Sequence, residues 1–99
     1  MKVENMTSSR GNKIANQFII KDDNGTHFQS YESMIAFIPY DHSFFTPESA
    51  QPHQKIHLDR NKWDYSTTTG KYRNQFLGET KRETEKKIKS GEYILADLN

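Results

Sequence analysis

From Lys13 onward apolar and polar residues alternate, and the alternation predicts a strand. Ile14, Phe18 and Ile20 fall on one face, with Asn16 a polar exception there, and Ala15, Gln17 and Ile19 fall on the other. Asp22-Asp23-Asn24-Gly25 follows. Asn-Gly is the preferred centre of a type I′ turn because both residues tolerate positive φ, so a hairpin returning through residues 26–31 is expected. After a break at Glu32-Ser33, residues 34–38 form an unbroken apolar run bounded by Ser33 and Pro39. That run reads as a central strand buried on both faces, with a short helix as the rival reading. Residues 55–59 read as a fourth strand with Ile56 and Leu58 on one face.

Beyond Trp63 the period lengthens. Tyr65, Thr69, Tyr72 and Phe76 make a helical stripe with Leu77 beside it. Gly70 inside that stripe costs about 1 kcal/mol relative to Ala. Either the helix starts near Thr68 or Thr69, or something approaches the backbone closely at Gly70. Gly78 is placed to end the helix in a left-handed conformation, and Thr80-Lys81-Arg82-Glu83 is a capping box that opens a second helix ending at Gly91. The second helix is mostly charged. Thr80, Thr84 and Ile88 are its buried stripe, and Glu83–Lys87 and Glu85–Lys89 are its favourable pairs. A solvated surface helix is the favoured reading and a partner-binding helix the other. Tyr93-Ile94-Leu95 returns as a strand or docked tail. The fold class is therefore α+β: a small antiparallel sheet of three to five strands with two C-terminal helices packed on one side. Residues 1–12 are polar and expected to be flexible, 13–99 form one domain, and 39–54, with three prolines, are a loop insertion.

Composition changes this picture in two places. Hydrophobic residues are only 32% of the 99, which would suit disorder, but six Phe, five Tyr and one Trp supply enough bulk for a modest core. The absence of cysteine removes disulfides, thiolate catalysis and cysteine-based zinc sites. No apolar run reaches the roughly 18 residues that would span a bilayer, and the N-terminus has no apolar signal core, so no membrane association is expected. The net charge of +1 is unevenly spread. Residues 21–50 carry one Lys against five acids, whereas 51–75 carry Lys55, Arg60, Lys62, Lys71 and Arg73 against Asp59 and Asp64.

Ile14-Ala15-Asn16-Gln17-Phe18-Ile19-Ile20, Phe28-Gln29-Ser30-Tyr31, Ile35-Ala36-Phe37 and the closing Ala96-Asp97-Leu98-Asn99 resemble segments of a group of small bacteriophage-encoded proteins. The segment from Trp63 to Leu77 matches that group's Trp-Asp-Tyr-Ser-x-Thr-Thr-Gly-Lys-Tyr-Arg-Asn-x-Phe-Leu pattern. The resemblance implies a phage origin and a setting in the host cell cytoplasm. It hands over no catalytic residues.

The candidate chemistry is sparse. Thr69-Gly70-Lys71 invites comparison with a phosphate loop, but the required upstream Gly is Tyr65 and the required Ser or Thr after the Lys is Tyr72. A looser anion site at a helix start remains open, with simple capping by Ser66 or a threonine favoured over it. His53 and His57 are four apart, but Pro52 and the strand pattern argue against a helix there, so no metal site is expected. Asp41-His42-Ser43 are adjacent, whereas triad members converge from separate segments, so no enzyme and no cofactor are expected.

Two binding readings follow. Arg60, Lys62, Trp63, Thr69, Gly70, Lys71 and Arg73 make the mixture of cations, stacking rings and helix start that would suit nucleic acid or another anion, provided that Tyr65 and Tyr72 are not core. Phe44 and Phe45, amid acids in the loop insertion, would suit a protein interface if they are not docked on the sheet. The low net charge favours a protein partner, of host or phage origin and in keeping with host takeover, over nucleic acid. An open first or last strand would also allow a homo-oligomer.

Overall fold

A computed structural model describes residues 1–99. Six strands form one sheet in sequential order: β1 (Lys2–Thr7), β2 (Lys13–Asp22), β3 (Gly25–Ser30), β4 (Ser33–Pro39), β5 (Ile56–Asp59) and β6 (Tyr93–Ala96). The first five are antiparallel neighbours. Two helices, α1 (Thr67–Leu77) and α2 (Lys81–Ser90), fill the crossover that lays β6 parallel to β5. The α+β class is as expected, but the sheet has six strands rather than three to five and is mixed rather than antiparallel. The extra strand comes from the polar N-terminus. Residues 2–7 carry little apolar signal because they form an edge strand, in which only Met6 is buried.

Residues paired across strands share a face, so the register sorts the side chains. The row Glu4, Ile19, Phe28, Ala36, Leu58 and Leu95 lies on the face that α1 and α2 cover. Phe28, Ala36 and Leu58 in that row are fully buried, and the Phe28 ring stacks on Phe76 of α1 with centroids 5.5 Å apart. The adjacent row, on the opposite face, is Val3, Ile20, His27, Phe37, His57 and Ile94. No helix covers it. All of its members but Val3 are half-buried, and Val3 is exposed.

Three local details differ from the sequence reading. Asn16 takes a left-handed conformation (φ 65°), and its carbonyl accepts a hydrogen bond from the Tyr31 N–H at 2.7 Å. The kink resets the alternation, so Gln17 and Ile19 point to the helices and Phe18 and Ile20 away, while Ile14 still packs on the core. The β2–β3 turn is not type I′, since neither Asp23 nor Asn24 has positive φ. Instead the Asp22 carboxylate accepts from the Asn24 and Gly25 N–H groups at 2.9 and 3.1 Å, and the unusual φ moves on to Gly25 at 148°. In α2, the close pairs include Lys81–Glu85 and Lys87–Glu79 rather than Glu83–Lys87 and Glu85–Lys89: Lys87 turns to Glu79 and Glu92 outside the helix, and Glu85 meets Lys81.

The other helix punctuation matches. Ser66 caps α1 through the Thr69 N–H, Gly78 and Gly91 end the two helices at φ 69° and 84°, and the Thr80–Glu83 capping box closes reciprocally. Within the loop 39–54 there are two short 3-10 turns, His42–Phe44 and Pro52–Gln54.

Gly25 offers the sharpest test of this architecture. A Cβ there would sit 2.1 Å from the Ile38 carbonyl oxygen and 2.9 Å from the Tyr40 nitrogen. Gly25→Ala should therefore destabilise the fold by about 2–4 kcal/mol, combining strained φ with backbone overlap. Urea denaturation measures it, and an unchanged midpoint would refute the tight β3–β4 contact.

Candidate functional site

The segment between β5 and α1 was the strongest functional signal in the sequence, and its geometry is mostly internal. Arg73, in the second turn of α1, is 1% exposed despite its charge. Its guanidinium donates to the Trp63 carbonyl, to Asp64 Oδ1 at 3.2 Å and to Asn74 Oδ1 at 2.9 Å. The Trp63 ring lies 5.1 Å from the guanidinium carbon, so the cation is stacked as well as bonded. Asp64 spends its second oxygen on Lys81 of α2, at 2.7 Å. Burial opposes ionisation of Asp64, but Lys81 and Arg73 outweigh it and hold the carboxyl below its usual range.

The remaining residues of the segment follow from this. Gly70 is buried beside the pair, and a Cβ would come within 3.6–3.8 Å of Asp64 and the Arg73 nitrogens. Those are ordinary contact distances, so no close approach demands the glycine, and the helix starts at Thr67, just ahead of the expected Thr68 or Thr69. Thr69 is fully buried, with its hydroxyl 3.0 Å from that of Ser30 in β3.

Of the cations proposed for nucleic acid, three remain at or near the surface. Arg60 pairs with Asp97 at 3.0 Å, while Lys62 and Lys71 lie over the rings of Tyr65 and Tyr72 at 5.0 and 5.3 Å. Tyr65 is exposed and Tyr72 packs on the core edge. The depression at the start of α1, about 620 Å³ and lined in part by Ser66, Thr67, Lys71 and Lys81, has Asp64 on its wall, where the carboxylate already pairs with Arg73 and Lys81. The chain supplies its own anion there.

A second polar knot was not read from the sequence. Glu79, between the helices, accepts from Tyr93 Oη at 2.7 Å, Lys87 Nζ at 2.8 Å and Thr84 Oγ1 at 2.6 Å. Burial again opposes its charge, and these three donors more than offset it. Burial and the Glu79 carboxylate push the Tyr93 phenol up, so it stays protonated and donates. Asp59, at the end of β5, is buried and accepts from the Leu98 and Asn61 N–H groups at 2.8 and 3.2 Å, which outweigh its desolvation. Asn99 then pairs with both backbone groups of Met34, so the closing Ala96-Asp97-Leu98-Asn99 is a latch across the ends of β5 and β4.

The other candidate surface is better exposed. Phe44 is 75% exposed and Tyr40 71%, while Phe45 is at the margin of exposure. Phe44 therefore does not dock on the sheet. His27, Phe37, Pro39, Tyr40, Asp41 and His53 surround an open depression of about 460 Å³ at the loop end of the helix-free face. His27 stacks on Phe37 with centroids 4.6 Å apart and meets Asp22 at 3.0 Å through Nε2. His57 follows in the same row, and burial holds it below the ordinary histidine range. The histidines of this face do not join any cluster of three metal-ligating side chains. The sequence carried one clue to this surface: a strand apolar on both faces, at residues 34–38, needs something to meet each side.

A family model described as a family of unknown function, DUF8033, matches residues 1–92. The chain belongs to DUF8033. No curated protein and no solved structure matches this DUF8033 chain. No helix in it is long and apolar enough to cross a membrane.

The polar knots give two expectations. Arg73→Met should cost about 2–3 kcal/mol, since Asp64, Asn74 and the Trp63 carbonyl lose a buried donor. Trp63 fluorescence during denaturation would report it. Asp59, Asp64 and Glu79 all have folded values below their unfolded ones. Their stabilisation is thus complete above the unfolded carboxyl value of about 4 and is lost as pH falls through the folded values. Through these three groups the urea midpoint should drop below that value, and His57, held below 6.5 by burial, should add an earlier decline as pH falls through 6.5. An Asp64→Asn variant with the same acid slope as wild type would contradict Asp64's share in it.

Proposed function

We infer that this DUF8033 chain is a non-enzymatic phage accessory protein that binds a host or phage protein through the helix-free sheet face. The observation that carries the reading is the row Val3, Ile20, His27, Phe37, His57 and Ile94. It runs across all six strands without a helix over it, the exposed Tyr40 extends it at the loop end, and the exposed Phe44 follows in the same loop. A row of aliphatic and aromatic side chains left without a covering layer on a small domain suits an interaction site. Its charged rim favours one partner class. Asp22 and Asp41 border the face, in a stretch with five acids and one lysine, and carboxylates repel a phosphate backbone. They suit a protein surface that presents apolar anchors ringed by Lys or Arg.

Nucleic-acid binding by segment 60–75 is the second reading, favoured by the exposed Tyr65 ring with Lys62 5.0 Å from its centre. Burial of Thr69 and Arg73 and the position of Asp64 weigh against it.

Affinity capture from infected-cell lysate, with wild type, Phe44→Ala/Phe45→Ala and Lys71→Glu as parallel baits, compares the two. A protein held by wild type and Lys71→Glu should be lost from the Phe pair, and after purification should bind that variant about ten-fold or more weakly. The melting temperature should stay within a few degrees. A large stability loss in the Phe pair, or equal binding by all baits, would overturn the interface. Salt-sensitive quenching of Trp63 by oligonucleotides would install the second reading instead.

A further inference from the structure

The sheet ends at β1, which pairs only with β2 and so leaves one row of backbone groups unpaired. Edges of this kind are templates for another strand unless they are blunted. Half of β1 is blunted. The register shifts between Asn5 and Thr7, and the Thr7 carbonyl is taken by Gln75 at 2.8 Å. Residues 2–5 stay regular, and their side chains alternate Lys2, Val3, Glu4. This short run is self-complementary. In an antiparallel pairing of two copies centred on Val3, Val3 faces Val3, Lys2 faces Glu4, Glu4 faces Lys2, and Met1 faces Asn5. Paired residues share parity, so whichever of them point their N–H and C=O groups outward meet partners that do the same.

The cations and carboxylates are free to make the exchange. Within one chain Glu4 reaches Lys2 and Lys21 only at 4.0 and 3.9 Å, with all three side chains about half exposed or more, so these contacts hold little energy. The far edge, β6, lacks this property. Glu92 and Asp97 flank it on both ends, so antiparallel self-pairing of β6 brings acid toward acid.

We propose that β1 pairs with β1 of a second copy about a two-fold axis through Val3, joining two six-stranded sheets into one of twelve strands. The interface is isologous and closes on itself, which ends the edge rather than passing it on. It is short, so the dimer is a weak, concentration-dependent one. Val3 lies on the helix-free face beside Ile20, so the two half-exposed rows become a single row from Ile94 of one copy to Ile94 of the other. The pairing stands or falls independently of any partner for that face.

Sedimentation velocity across a wide concentration range tests it, with circular dichroism to confirm that each variant folds. Wild type should show a monomer–dimer equilibrium. Glu4→Lys turns two attractive cross-strand pairs into two repulsive ones and should raise the dissociation constant about ten-fold or more. Lys2→Glu/Glu4→Lys restores opposite charges and should return it to near the wild-type value. Because the chain has no cysteine, Val3→Cys supplies a single thiol that meets its own copy at the axis. It should oxidise to a covalent dimer faster than Leu95→Cys on the other edge. A wild type that stays monomeric throughout, a dimer indifferent to the charge reversal, or equal crosslinking at both positions would each overturn the proposal.

Discussion

The buried guanidinium of Arg73 is the constraint on which the helical layer depends. A charge removed from water needs acceptors, and here the Trp63 carbonyl, the Asp64 carboxylate and the Asn74 amide meet the two terminal nitrogens, while Nε is left without one. Meeting it fixes the chain before α1, sets the rotation of α1 over β3, and through Asp64 draws Lys81 and the start of α2 into place. Thr69 and Ser30 then meet at the sheet surface, and Phe76 reaches Phe28. Glu79 does for α2 and β6 what Arg73 does for α1. With only seven buried apolar residues in the core, these two centres take over much of the positional work that a larger domain leaves to packing.

That division explains which parts of the molecule were legible in the sequence. The central strands, both helix stops and the capping box announce themselves through periodicity and through residues with one dominant use, such as Gly78 and the Thr80–Glu83 pair. The first strand did not, because an edge strand exposed on one side needs no apolar alternation. The faces of β2 were legible from Gln17 onward but not across Asn16, whose left-handed backbone resets the alternation; its residue type tolerates that conformation without requiring it. The turn at Asp22 shows a further limit of short-range patterns. Asn-Gly favours one geometry, but an aspartate two residues upstream can hold the same four residues in another.

The segment from Trp63 onward carries the chemistry expected of a recognition loop, and most of it turns inward. A cation beside aromatic rings and hydroxyls reads alike in sequence whether its counter-charge is a ligand or an aspartate nearby. The distinction lies in three dimensions, where Asp64 stands in the anion's place. The helix-free face was concealed for the opposite reason. Its members sit one per strand, from Val3 to Ile94, and no window along the chain contains more than one or two of them.

The parallel placement of β6 sets an order of events during folding. Strands β1 to β4 are successive hairpins whose pairings close short loops, whereas Ile56 cannot meet Tyr93 until both helices have been laid between them. On a ribosome the four-stranded meander is therefore complete while β5 still waits for its outer neighbour. Until Asn99 reaches Met34 and Leu98 reaches Asp59, the β5 side of the sheet stays raw and unguarded, so it is sealed by residues that lie 39 and 65 positions along the chain from the groups they meet.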